Sequence, residues 1–157
     1  MEKLSRLIGA ARSGDLDILR EMIADGADLD WKDEKGYTPL IISCYNNKIE
    51  AAALLIKAGA NVDACDIGGN TALMGVSFKG YPHIVNLLID HGANVDLQHG
   101  NGGTALMFAA MFGRNDVLKI LIDKGADKSL VDVRGLSVFD LAAQQGNEEA
   151  LSLLYKD

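Results

Sequence analysis

His83, His91 and His99 stand eight residues apart, a regularity that would gather imidazoles on a metal ion if the backbone brought them together. The first two belong to one predicted helix and would sit about two turns apart along it, roughly 12 Å. Ligands of a single ion converge to within about 2 Å of it, so the spacing predicts three solvated histidines on a helix and a turn-rich segment. Cys44 and Cys65 are 21 residues apart and form no Cys-x-x-Cys pair. They read as reduced thiols of a cytosolic protein, and no His or acid nearby in sequence marks either as a nucleophile. Asp28, Asp30, Asp33, Asp63, Asp66 and Asp96 lack the tight alternation of an EF-hand loop and suit turns better, where Asp side chains bond nearby backbone N–H groups. "GGNTAL" and "GNGGT" are glycine-rich, yet neither has the Lys-Ser or Lys-Thr ending of a phosphate loop. No catalytic, cofactor-binding or metal-binding constellation is legible, and the chain is expected to be non-enzymatic.

The elements that carry these residues repeat. Thr38, Thr71 and Thr104 lie 33 residues apart, Ser5 and Ser137 extend the series, and Gly26, Gly59, Gly92 and Gly125 keep the same spacing, each followed by Ala and then Asp or Asn. A period held without slippage means five copies of one structural unit. In the second copy Thr38 is placed to cap a helix, with Pro39 at the first helical position, where its missing N–H costs nothing. Leu40, Ile41, Cys44 and Tyr45 follow at helical spacing, the pattern breaks at Asn46 and Asn47, and a second helix runs through Ile49, Ala53, Leu54 and Ile56. Gly14, Asn47, Gly80, Gly113 and Gly146 share the break, which suits a turn residue with positive φ. Between copies, segments such as "GANVDACDIGGNT" are poor in helix formers and predict projecting, turn-rich fingers. Small residues recur in the first helices, as Ala10 and Ala11, Ser43 and Cys44, or Ala109 and Ala110, and let adjacent layers approach closely. The fold class is therefore all-α: a solenoid of five helix-turn-helix units that buries apolar strips between successive layers.

Composition narrows the partners. At 157 residues and 48% hydrophobic content the chain has ample apolar material for a folded core. A net charge of −7 argues against nucleic acid, whose binding depends on a basic stripe, and disfavours an anionic membrane surface. The longest apolar run, "ALMFAAMF", falls far short of the roughly 18 residues of a membrane span. "MEKLSRLIGAARSGD" already carries the repeat pattern and reads as part of the fold rather than as a secretory signal.

"GYTPL" with "LLIKAGANVD", "GNTAL" with "LLIDHGANVD", and "GGTAL" with "ILIDKGAD" resemble the ankyrin repeat, whose motif runs Gly-x-Thr-Pro-Leu-His-x-Ala, then a leucine-rich second helix, then Gly-Ala-Asp or Gly-Ala-Asn. The resemblance covers essentially the whole chain. It implies one domain over 1–157, with a capping repeat at 1–33, internal repeats at 34–66, 67–99 and 100–132, and a second capping repeat at 133–157. The first copy lacks the Gly-x-Thr-Pro opening, and the last stops at Asp157 without a following finger; both are expected to be end caps. The motif's His is replaced by Ile8, Ile41, Met74, Met107 and Asp140, so apolar packing is expected to do most of the work of joining layers. Helices of the Thr-Ala-Leu-Met type look more like those of short bacterial ankyrin proteins than of animal ones.

Ankyrin stacks, by this resemblance, bind proteins along a concave surface made by finger tips and the exposed side of the first helices. The corresponding residues here are Arg12, Tyr45, Phe78, Met111 and Gln144, each 33 residues from the last, with Asn46, Lys79 and Phe112 beside them, and Lys35, Tyr37, Ile67, Asn70 and Asn101 on the fingers. The expectation is a cytoplasmic, monomeric adaptor or inhibitor that binds one or more proteins and no nucleic acid or membrane. A self-associating structural unit, or an enzyme or metal-binding protein with an unrecognised site, is the alternative. Tyr45, Phe78 and Met111 could equally pack between layers, whereas Trp31, at the base of the first finger, is expected to be a core filler.

Overall fold

The first helix of four layers begins where the repeat places a capping hydroxyl. In the computed structural model, which describes residues 2–156, the chain forms α1 (Glu2–Ser13), α2 (Leu16–Ala24), α3 (Pro39–Tyr45), α4 (Ile49–Lys57), α5 (Ala72–Lys79), α6 (Pro82–Asp90), α7 (Ala105–Met111), α8 (Asn115–Asp123), α9 (Val138–Gln144) and α10 (Glu148–Leu154). Met1 and Asp157, the ends of the expected domain, lie outside the described residues. The hydroxyls of Thr38, Thr71, Thr104 and Ser137 accept from the backbone N–H of Ile41, Met74, Met107 and Asp140, which satisfies a donor that the helix itself cannot. Ser5 does not follow them. Glu2, Lys3 and Leu4 are helix formers where a Gly-containing turn precedes Thr38 and Thr71, so α1 runs through Ser5 from Glu2.

Between the two helices of every layer one residue has positive φ: Gly14, Asn47, Gly80, Gly113 and Gly146. Asn47, at φ 59°, is the only such residue among the described ones that is not glycine. The chain reverses there, and each layer becomes an antiparallel pair. Odd-numbered helices pack against the next odd-numbered helix and even against even, giving an inner and an outer row. One continuous core runs along the stack. The columns Leu7, Leu40, Leu73, Leu106 and Met22, Leu55, Leu88, Leu121, Leu154 are buried throughout. Trp31 and Tyr37 pack on a smaller cluster of Ile8, Ala11 and Ile42, so Trp31 fills the base of the first finger.

Layers are joined by more than apolar contact. Ile8, Ile41, Met74 and Met107 are buried where the motif's His would stand, as expected, and Asp140 instead closes a capping box by accepting from the Ser137 N–H at 2.9 Å. A polar seam runs beside that apolar packing. Asp30, Asp63 and Asp96 each accept, through Oδ1, a backbone N–H of the next layer, from Asn61, Asn94 and Asp127 at 2.8, 2.9 and 2.8 Å. The finger tips form a second seam: Ile67 N–H donates to Lys35 O, Gly100 N–H to Gly68 O and Val133 N–H to Asn101 O, at 3.1, 2.8 and 3.0 Å. Gly102 shows how close these tips come. Its φ is +84°, and a Cβ there would lie 2.8 Å from the Asp132 Cα, so only hydrogen fits.

Candidate functional site

A groove of about 400 Å³ opens in the angle between the fingers and the inner helices. Its origin is a single small residue. Gly9, Ile42, Gly75, Phe108 and Leu141 occupy one column of the inner row, and Gly75 in α5 leaves a gap between Ile42 and Phe108, all three of which line the groove. Tyr45 lies over the gap, its Cδ1 3.3 Å from where a Gly75 Cβ would sit. Thr71 and Met74 also line it from α5 and its cap, and Tyr37, Asp66 and Asn70 from the fingers.

Along one side runs a row of aromatic rings. Tyr45 and Phe78 lie nearly parallel, 6.5 Å apart with 6° between planes, and Phe112 meets Phe78 edge-on at 4.6 Å and 85°. These distances fall in the range favoured by the ring quadrupole. Tyr45 and Phe112 each keep 44% of their surface exposed, while Phe78 is half-buried between them. Three cations border the row. Arg12 lines the groove, the Lys79 Nζ stands 4.9 Å from the centre of the Tyr45 ring, and Arg114 donates through Nε to the Phe78 carbonyl at 2.9 Å.

The sequence-predicted residues divide accordingly. Arg12, Tyr37, Tyr45, Asn46, Asn70 and Phe78 line the groove, and Lys79 and Phe112 join it through the aromatic row. Asn46 and Asn70 are already engaged: the Asn46 side chain donates to Ile42 O at 2.8 Å, and Asn70 donates to the Asp66 carboxylate from both backbone and side chain. Met111 does not continue the stripe. It is half-buried against the core, so the row steps to Phe112, one residue on. Lys35, Ile67 and Asn101 are exposed finger-tip residues outside the groove, and Gln144 lies exposed at the end of α9, away from it. Sequence reasoning missed Gly75, Phe108, Met74 and Arg114.

A second groove, of about 440 Å³, lies beyond Phe108, lined by His99, Asn101, Met107, Met111, Val133, Arg134 and Leu141 among others. Its rim is neutralised: Arg134 pairs with Asp132 at 2.8 Å, and hydrogen bonding from that guanidinium is the leading cause that holds the Asp132 carboxyl below its usual range. His99 overturns the expectation of a solvated side chain. It stands where the other fingers have Asp33, Asp66 and Asp132, and it replaces them as the acceptor within its finger. Its Nδ1 accepts from the Gly103 N–H at 2.8 Å, and its ring packs against Phe108 at 5.1 Å. His83 and His91 are exposed. Cys44 is buried in the core, and burial pushes its thiol up to about 12, which keeps it protonated and unreactive. Among the described residues no three His, Cys, Asp or Glu side chains gather as metal ligands, and no helix is long and apolar enough to cross a membrane.

The groove thus combines an apolar floor, an aromatic side and cations along its border. A family model described as ankyrin repeats (3 copies) matches residues 7–99 and again residues 74–157. No curated protein matches the chain.

Proposed function

The chain belongs to the ankyrin-repeat family, whose members are in general protein–protein interaction modules, and on that premise we propose that it is a non-catalytic adaptor or inhibitor that binds a partner protein through its concave side. The observation that carries this is the aromatic row Tyr45, Phe78 and Phe112 beside the groove over Gly75. Large rings left open to water beside a preformed hollow are what interface centres use, because they bury much area on binding and lose little rotamer freedom. A polar border of Arg12, Lys79 and the finger tips supplies the rim. We place the protein in a reducing compartment such as the cytoplasm, since Cys44 and Cys65 are both free thiols, and read it as a monomer when unbound.

The test is co-purification from the native cell, followed by affinity measurements on the captured partner. Replacing Tyr45, Phe78 and Phe112 by Ala should weaken binding by more than a thousandfold, at about 2 kcal/mol for each hot-spot ring, while the thermal transition stays within a few degrees of wild type. A folded triple variant that binds as tightly as wild type would move the interface elsewhere.

A further inference from the structure

The rim of the groove has a charge opposite to that of the chain. On a protein of net charge −7, Arg12, Lys79 and Arg114 gather around one aromatic row, and none has a carboxylate within 4.0 Å among the described residues. The ion pairs that do form, Arg6 with Glu21, Arg20 with Asp17, Lys119 with Asp123 and Arg134 with Asp132, all lie off this rim. Two of the three cations are already positioned. The Arg114 guanidinium is anchored by its Nε on Phe78 O, which leaves its terminal nitrogens free to meet a carboxylate in bidentate fashion, and Lys79 rests over the Tyr45 ring. The one carboxylate lining the groove, Asp66, is occupied by Asn70 on the finger side. Between cations and finger, the floor over Gly75 is apolar.

We propose that the occupant of this groove is a short acidic segment of a partner protein, in which one large apolar side chain enters over Gly75 and flanking carboxylates pair with Arg12, Lys79 and Arg114. The inference rests on the reading that the concave side is the protein-binding surface, and it names the chemistry of what binds there. A nucleic acid could stack on the same rings, but three rim cations on an acidic chain are too few for the phosphate neutralisation that dominates such binding. An apolar floor, moreover, offers nothing to a phosphate. Electrostatic attraction confined to the rim would steer an acidic segment to the groove while the rest of the surface repels it.

A random dodecapeptide display library selected on the intact protein tests this. Recovered sequences should place Asp or Glu on both sides of a Leu, Phe, Met or Trp. Binding of the synthesised peptides should fall at least tenfold in the Arg12→Glu, Lys79→Glu double variant, and should weaken between about 50 and 300 mM salt as screening grows. Gly75→Ile should abolish binding, because it places in the gap the side chain that Ile42 carries one layer earlier; a wild-type melting curve shows that this variant is folded. Peptides that Gly75→Ile excludes but that lack acidic residues and ignore the charge reversal would overturn the acidic chemistry and leave the binding surface standing. Acidic peptides indifferent to both Gly75→Ile and Tyr45→Ala would overturn the surface itself, as would a selection that yields no groove-dependent sequence. Displacement of the peptides by oligothymidylate at comparable concentration would reassign the groove to nucleic acid.

Discussion

The column Met22, Leu55, Leu88, Leu121, Leu154 and the column Gly9, Ile42, Gly75, Phe108, Leu141 recur at the same 33-residue interval, yet one holds nearly constant volume and the other swings between hydrogen and a benzyl group. The first is buried at every layer. Its residues face their own equivalents above and below, so a change of size at one layer would open a void or a clash at two interfaces. The second is buried at Ile42 and Leu141 but open to the groove at Gly75 and Phe108. At Gly75 the missing side chain leaves a hollow, and Phe108, one layer on, builds a wall beside it. Repetition thus marks the columns that hold the protein together, and variation within a column marks where its surface is shaped.

The sharpest test sets the two columns against each other. Leu88→Ala should destabilise the stack by about 2–5 kcal/mol, read as a lower urea midpoint, because it leaves a cavity in a closed core. Gly75→Ile should shift the midpoint little, since a helical glycine becomes a better helix former and the half-open Tyr45 can move aside. Equal losses at both sites would break the distinction between packing and shaping columns. A second comparison separates close approach from backbone conformation. Gly102→Ala and Gly135→Ala both place a side chain at positive φ, +84° and +79°, which costs about 1–2 kcal/mol. Only at Gly102 would the new Cβ also meet the next finger, at 2.8 Å from Asp132 Cα; at Gly135 nothing lies within 4 Å. Gly102→Ala should therefore be the more damaging of the pair by chemical denaturation, and identical effects would show that the finger seam yields freely.

Smaller effects refine the packing side. Thr71→Ala removes the hydroxyl that accepts from Met74 N–H at 3.3 Å and should lower stability by about 1 kcal/mol without abolishing folding; no measurable change would mean that the cap contributes nothing. Ser77 occupies the Cys44 column, fully buried, with no hydrogen-bond partner for its hydroxyl. Ser77→Ala should therefore be neutral or stabilising by up to about 1 kcal/mol, because it deletes a polar group that folding strips of water. A clear loss of stability would point to a partner for that hydroxyl.

How far the sequence could be read follows from the same distinction. Thr38, Thr71, Thr104 and Ser137 declared helix starts because capping is local chemistry, settled within three residues, and Asn47 declared a turn by standing where the other copies have Gly. The groove was not legible in that way. Gly75 is an ordinary helical glycine until Ile42 and Phe108 flank it from adjacent layers, and Arg114, at the N-cap of an outer helix without a side-chain cap bond of its own, reaches back to a carbonyl 36 residues earlier. No motif announces such a reach. His99 carried a readable signal that isolation hid: judged with His83 and His91 it was one of three surface imidazoles, whereas judged with Asp33, Asp66 and Asp132 it is the acceptor that closes its finger.

The two seams that link one layer to the next carry a further consequence for how the protein is made. Each aspartate of the ladder meets a donor 31 residues downstream, and no side-chain bond between layers reaches beyond 37 residues among the described ones. A chain emerging from the ribosome can therefore complete a layer, offer Asp30, then Asp63, then Asp96 to the segment that follows, and dock it before distant sequence exists. Topology of such short range favours rapid folding, and synthesis proceeds slowly enough for each layer to settle before the next appears. Each layer thus needs only its neighbour to dock against, and no contact has to wait for sequence more than about one repeat away.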